Sequence, residues 1–450
     1  MKKYTKNLLL LLFPTFILLA GGVYGQTVQL PQVAVQKQII NGSLGERLRS
    51  LDGVVSVEQI DKGAYNEKWV VMIAQPIDYQ HPEQDTFSQR FTVCHAGFDR
   101  PTVMVTEGYQ AAYALRPAWT DELSGIFNAN VVVVEHRYFD ASTPDPIDWR
   151  CLTVENAMHD LHRINGRMKA VYPGKWISTG ISKGGSTTIM YRAWFPNDVD
   201  ISVPYVGPIN FSTEDGRHEP FLEKVGTPAE RKAVLDFQAE VLKRRAELMP
   251  MFKAHCDGKG YVFRVPLDEV YDLCVLEYSF SHWQWGTPIE RIPPVTVSDK
   301  DLSDYFIASV DPDYFAMGGP HVSFYVQAAR EFGYYGYDTR PFRDLLARDS
   351  EKDYLNRVML PIDVPVEKFD ARAMKFVRKY LLKNDPKMIF IYGETDPWTA
   401  SGITDPKYFK GKQNMTLVVQ PGGSHRTRIN TLPEAQREEL IETITRWLAE

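Results

Sequence analysis

Cysteine is scarce in this chain, with four in 450 residues and none spaced as C-x-x-C. That spacing removes the usual thiolate-zinc and dithiol-redox readings. Basic blocks are missing too. The 51 Lys and Arg are scattered among 57 Asp and Glu, for a formal net charge of −6, so the charge invites neither nucleic acid nor an anionic membrane as a partner. No segment repeats and none is low in complexity, which excludes repeat architectures. The apolar run at residues 8–20 is interrupted by Pro14 and Thr15 and is too short to cross a bilayer comfortably. No cysteine follows it to take a lipid anchor.

That run instead has the form of an export leader. Lys2, Lys3 and Lys6 precede it, and Val23 and Gly25 are small residues ahead of Gln26. The expectation is a signal peptide at 1–25, a secreted or periplasmic protein, and no stable membrane insertion once the leader is cut. Export changes how the four cysteines read. An even count in an oxidising compartment suggests two disulfides, Cys256 with Cys274 and Cys94 with Cys151. Each would stabilise by roughly 3–4 kcal/mol on the loop-entropy argument.

Hydrophobic residues make up 44% and charged residues 24%, ordinary for a soluble globular chain large enough for a core and an inserted domain. Strand-like segments at 69–77 and 91–98 read as antiparallel leaders. Further strands follow at 102–106, 130–138, 175–179 and 201–206. The continuous run Val131 to Val134 suits a strand buried on both faces. Helical stretches at 156–169 and 186–194 alternate with these strands, which argues for a mostly parallel sheet covered on both sides. The pattern then changes. From 210 to 386 the chain is mostly helical, with a long charged stretch at 229–249. Trp283, Trp285, Tyr314, Phe315, Phe324, Tyr325, Phe332, Tyr334, Tyr335 and Tyr337 crowd this region. Strands return at 388–392 and 415–419, and an amphipathic helix at 433–448 closes the chain. The expected fold class is α/β, an α/β-hydrolase fold with a large helical cap insertion. The core would take 26–209 and 387–450, and the cap 210–386.

One motif carries chemistry. Gly180-Ile181-Ser182-Lys183-Gly184-Gly185 lies between a strand and a helix, the setting of a nucleophile elbow, whose tight turn thrusts the serine hydroxyl above the sheet. G-x-S-x-G alone is weak; the flanking strand and helix give it weight. A serine needs a base and an acid to orient it, and in this fold they follow in the order Ser, Asp or Glu, His. His425 comes directly after the last strand and Asp396 after the penultimate one, both at carboxyl ends, where open α/β sheets place ligands. Ser182, Asp396 and His425 are therefore the candidate catalytic residues, with Glu394 a rival acid. For the oxyanion hole, Lys183 N–H is one candidate. The other comes from the loop Thr106-Glu107-Gly108-Tyr109, where Gly108 permits close backbone approach. His159 and His162 on one helix lack a third ligand and read as a solvated face, so neither metal nor other cofactor is expected.

Several segments resemble a known family. Val133-Val134-Glu135-His136-Arg137-Tyr138-Phe139, Ser142-Thr143-Pro144, Leu152-Thr153 and Gly393 to Trp398 are similar to the lysosomal Pro-X carboxypeptidase and dipeptidyl peptidase II group. Its bacterial relatives, the secreted prolyl tri/tetrapeptidyl aminopeptidases, are the nearer match, from about residue 50 to the C-terminus. The resemblance implies peptide substrates, a free N-terminus and the same triad. It also suggests an N-terminus-reading carboxylate, Glu107 or Glu331. The loop Val-Thr-Glu-Gly departs from the group's Gly-Asn-Glu-Gly at its first two residues. A secreted carboxylesterase, a Pro-X carboxypeptidase-like enzyme and a catalytically dead binding module are the alternatives.

Overall fold

The computed structural model describes residues 42–348 and 351–450. The leader expected at 1–25 lies outside the described residues.

Among the described residues nine strands form one sheet: β1 (Val54–Gln59), β2 (Glu67–Pro76), β3 (Thr86–His95), β4 (Thr102–Thr106), β5 (Asn130–Val134), β6 (Trp176–Ile181), β7 (Ile201–Tyr205), β8 (Met388–Gly393) and β9 (Met415–Gln420). Their spatial order is β1-β2-β3-β5-β4-β6-β7-β8-β9. The first three pairings, up to β3 with β5, are antiparallel. The rest are parallel.

The alternation of side chains explains why the central strands read as unbroken apolar runs. In β5, Val132 and Val134 face one core while Val131 and Val133 face the other. The first core holds the helices Val154–Met168 and Lys183–Trp194, and it continues into the cap. The second is covered by the closing helix Glu434–Ala449 through Leu440, Ile444 and Trp447. The strand expected over 130–138 ends at Val134. Glu135 there turns inward to accept from Ala111 N–H and the Ser142 hydroxyl, both at 2.8 Å, and it pairs with Arg90.

Between β7 and β8 the chain leaves the sheet and builds a helical cap. The helix expected over 229–249 is two helices, Pro228–Lys243 and Arg245–Lys259. The first starts at a capping box, Thr227 with Glu230, and Arg244 breaks the run at φ −91 and ψ 19. Its guanidinium is drawn to Val297 O and Asp299 across the cap. Next comes Leu267–Trp285, a 19-residue helix ending at Gly286 in the left-handed region.

The cysteine pairing needs correction: all four are free thiols. Cys94 points into the core on one face of the sheet, and Cys151 packs against the core on the other. No disulfide can reach through a sheet. Cys256 and Cys274 do lie together in the cap, where each thiol is pushed up by burial. Among the described residues, no helix is long and apolar enough to cross a membrane.

Candidate active site

The elbow has the expected build. Ser182 sits between β6 and the helix Lys183–Trp194 at φ 59 and ψ −123. A non-glycine residue there stores on the order of 1–3 kcal/mol, and the turn is held by Ser182 N–H donating to Tyr205 O at 2.9 Å. A Cβ on Gly180 would fall 2.3 Å from Gly184 O across the turn, so the motif's first glycine is required by contact.

The ends of β8 and β9 bring the next two candidates together. His425 Nδ1 and Asp396 Oδ2 are 2.6 Å apart, both side chains buried. A charge-assisted bond of this kind fixes the imidazole plane and presents the other ring nitrogen outward. Asp396 also serves as a cap, its Oδ1 accepting from Trp398 N–H at 3.1 Å. One oxygen caps and the other holds His425. The rival Glu394 is exposed and accepts from Gly422 N–H at 2.8 Å, pinning the histidine loop from outside. The cap reaches the same loop: His425 N–H donates to Gln284 O at 2.8 Å, and the Trp285 ring stands edge-on to His425 at 5.8 Å.

The loop after β4 lies against the elbow so tightly that a Cβ on Gly108 would meet Lys183 Cγ at 2.5 Å. Lys183 opens its helix, a position whose backbone N–H has no intrahelical partner, as an oxyanion donor requires. Gly108 N–H is differently placed, donating to Glu107 Oε2 at 3.2 Å. Glu107 is thus a scaffold for this loop: it also takes a short hydrogen bond from the Tyr113 hydroxyl. The buried Lys183 amine beside it donates to Gly108 O at 2.6 Å. Burial pushes the Glu107 carboxyl up and the Lys183 amine well down, each toward its neutral form.

Ser182, His425 and Glu107 all line one cavity of about 570 Å³ beneath the cap, a volume typical of ligand sites. The aromatic crowd divides here. Trp285, Tyr314, Phe324, Tyr325, Tyr334 and Tyr335 line the cavity, while Trp283, Phe315, Phe332 and Tyr337 are buried packing. Glu331 is outside it. Its carboxylate accepts from Val154 N–H at 2.7 Å, at the start of the helix Val154–Met168, so its position is set by that helix terminus. His162 pairs with Asp198 and His159 stacks on Tyr79. Among the described residues no group of three acidic, histidine or cysteine ligands comes together.

Sequence reasoning missed Glu277, which also lines the cavity. It is 5% exposed and accepts from the Tyr335 and Tyr337 hydroxyls at 2.8 Å each. Burial pushes its carboxyl up to about 7. The available signal was a lone acid in Cys274-Val275-Leu276-Glu277-Tyr278-Ser279-Phe280, where an unpaired charge is costly to bury.

A family model described as PS-10 peptidase S37 matches residues 40–449. A prolyl tri/tetrapeptidyl aminopeptidase of Streptomyces mobaraensis is 30% identical over 411 residues, covering 89% of this chain and 84% of that protein. Among solved structures, a proline iminopeptidase of Mycobacterium smegmatis superposes with a TM-score of 0.38 at 14% identity, over 88% of this chain and 99% of its own. A bromoperoxidase of Bacillus anthracis gives 0.38 at 13% identity, over 84% and 100%.

Proposed function

The chain belongs to the PS-10 peptidase S37 family, and on that premise we propose that it is a secreted exopeptidase releasing tri- or tetrapeptides from free peptide N-termini, with proline favoured before the scissile bond. That it is a serine peptidase follows from the family and from its aminopeptidase relative. The finer reading is carried by one observation: the buried Asp396–His425 pair and the elbow serine open on a single cavity roofed by the cap.

In this reading Ser182 Oγ attacks the scissile carbonyl carbon and His425 takes its proton. Asp396 holds the ring and stabilises the imidazolium. The oxyanion forms against Lys183 N–H. Collapse breaks the C–N bond, and His425 delivers the proton to the departing amine, leaving the N-terminal fragment as an ester on Ser182. Water, deprotonated by His425, then releases that fragment as a carboxylic acid. Tyr109, Phe324, Tyr325 and Trp398 give the cavity ring faces against which a proline can pack. The export leader at 1–25 belongs to the same proposal.

The test is a matched pair of fluorogenic tripeptides ending in proline, one with a free amine and one acetylated. Because a charged hydrogen bond to the ammonium is lost, acetylation should lower kcat/KM by about tenfold or more. Equal cleavage would remove the exopeptidase reading. Turnover of esters without peptides would favour the carboxylesterase. Release of C-terminal residues instead would favour the carboxypeptidase-like enzyme.

A further inference from the structure

We infer that Glu277 receives the substrate's α-ammonium and that the cap helix Leu267–Trp285 is the ruler that sets the released fragment at three to four residues. The inference rests on the exopeptidase reading above and names the residue and distance behind it.

The helix presents Glu277, Ser281, Gln284 and Trp285 to the cavity. They recur at i, i+4, i+7 and i+8, the spacing of one helical stripe. One end of that stripe is anchored at the reacting centre, because Gln284 O accepts from His425 N–H and the Trp285 ring stands against the His425 ring. Glu277 lies at the other end, eight residues back, which at about 1.5 Å per residue is about 12 Å along the axis. An extended substrate advances about 3.3 Å per residue. Three residues therefore span about 10 Å and four about 13 Å, while two reach only about 7 Å. A carboxylate set about 12 Å back along the helix axis from the residue that stands against His425 meets the amine of a tri- or tetrapeptide and leaves a dipeptide short.

The carboxylate is also set up for a cation. The Tyr335 and Tyr337 hydroxyls both donate to Oε2, and Oε1 takes no hydrogen bond from any described residue. No basic side chain pairs with Glu277 among the described residues; burial and the two tyrosines account for its raised carboxyl. A purely structural buried acid would have both oxygens satisfied or a cation beside it. An ammonium carries three donors. Oε1 can accept one, and the Tyr314, Tyr334 and Tyr335 hydroxyls, already joined in a cluster on the same wall, can accept others. The other cavity acids are less suited. Asp311 is engaged by His255 at 3.3 Å and caps the turn Pro312–Phe315. Glu107 is held in its own loop by Gly108 N–H and the Tyr113 hydroxyl, which leaves Asp313, beside Asp311, as the alternative anchor among the described residues.

The experiment compares wild type, Glu277→Gln, Glu277→Asp and Asp313→Asn on proline-ended fluorogenic peptides of two to five residues, each free and acetylated. Each variant's fold is checked by its labelling rate with a serine-directed phosphonate. Wild type should prefer free tri- and tetrapeptides over their acetylated partners and over the free dipeptide by at least tenfold. In Glu277→Gln the free-to-acetylated ratio should collapse to about one and the length preference should flatten, with the loss mainly in KM. Glu277→Asp, its carboxylate withdrawn by one methylene, should keep the preference at a higher KM, and it carries the test if the glutamine variant does not fold. If wild type shows no preference for a free amine, the exopeptidase reading fails. If wild type shows it and Glu277→Gln retains it, or Asp313→Asn alone abolishes it, the reading stands and the assignment to Glu277 is overturned.

Discussion

Glu277 makes a prediction about stability that needs no substrate. Burial raises its carboxyl from 4.5 to about 7. A buried acid with a raised value binds its proton more tightly folded than unfolded. Its contribution therefore favours the folded state below about pH 4.5 and is lost as pH rises toward 7. At about 1.4 kcal/mol per unit, the full loss is roughly 3 kcal/mol above pH 7. Glutamine has nearly the same shape, still accepts from Tyr335 and Tyr337 through its carbonyl, and cannot ionise. Any effect of its amide group is the same at every pH, so the comparison is between slopes. Urea unfolding of wild type and Glu277→Gln, followed by tryptophan fluorescence from pH 4 to 8.5, should show the variant gaining on wild type across pH 4.5–7. The gain should approach about 3 kcal/mol and then level off. Parallel curves would refute the reasoning, since the carboxylate would then ionise in the fold as easily as in water. A gain seen only below pH 4.5 would reverse its sign.

Two further outcomes follow from the geometry. Asp396→Asn should keep the fold, because the amide oxygen can still cap Trp398 N–H. It should nonetheless lower kcat by about three to four orders of magnitude, through loss of the imidazole orientation and its counter-charge. Thiol titration in denaturant without reductant should find all four cysteines, whereas in the native protein Cys94, buried and pushed up to about 12, should stay unreactive. Two missing thiols would show that Cys256 and Cys274 are joined.

Much of the core was legible because its signals are local. A strand buried on both faces must be apolar at every position, so Val131 to Val134 announces itself without any knowledge of its neighbours. The elbow motif is local too, since Gly180 answers a contact only four residues away. Ser182, Asp396 and His425 could be nominated from strand ends because a parallel sheet brings carboxyl ends to one rim. What could not be read depends on distant partners. Whether a carboxylate faces the cleft is decided by the donors that the folded chain brings to it: Tyr335 and Tyr337 for Glu277, Val154 N–H for Glu331, the Tyr113 hydroxyl and Gly108 N–H for Glu107. The sequence offers three acids near aromatics or glycines and no means to rank them. The cysteine pairing failed for a similar reason, because the period-two alternation of β3 hides which face Cys94 takes until its register with β5 is known. The resembling segment around Glu135 to Arg137 turns out to be scaffold. Arg137 lies fully buried with Asp160, donating through Nε at 2.6 Å and Nη2 at 2.9 Å.

The central claim is that one serine, strained at the elbow and lining the same cavity as the Asp396-held His425, performs the chemistry. The most direct measurement is reaction with a serine-directed phosphonate, followed by intact mass and peptide mapping alongside peptide turnover. The account predicts one adduct per chain, on Ser182 alone, forming in step with complete loss of activity. No adduct should form on a Ser182→Ala variant that is folded and inactive. Turnover that survives stoichiometric labelling, or an active Ser182→Ala protein, would contradict it.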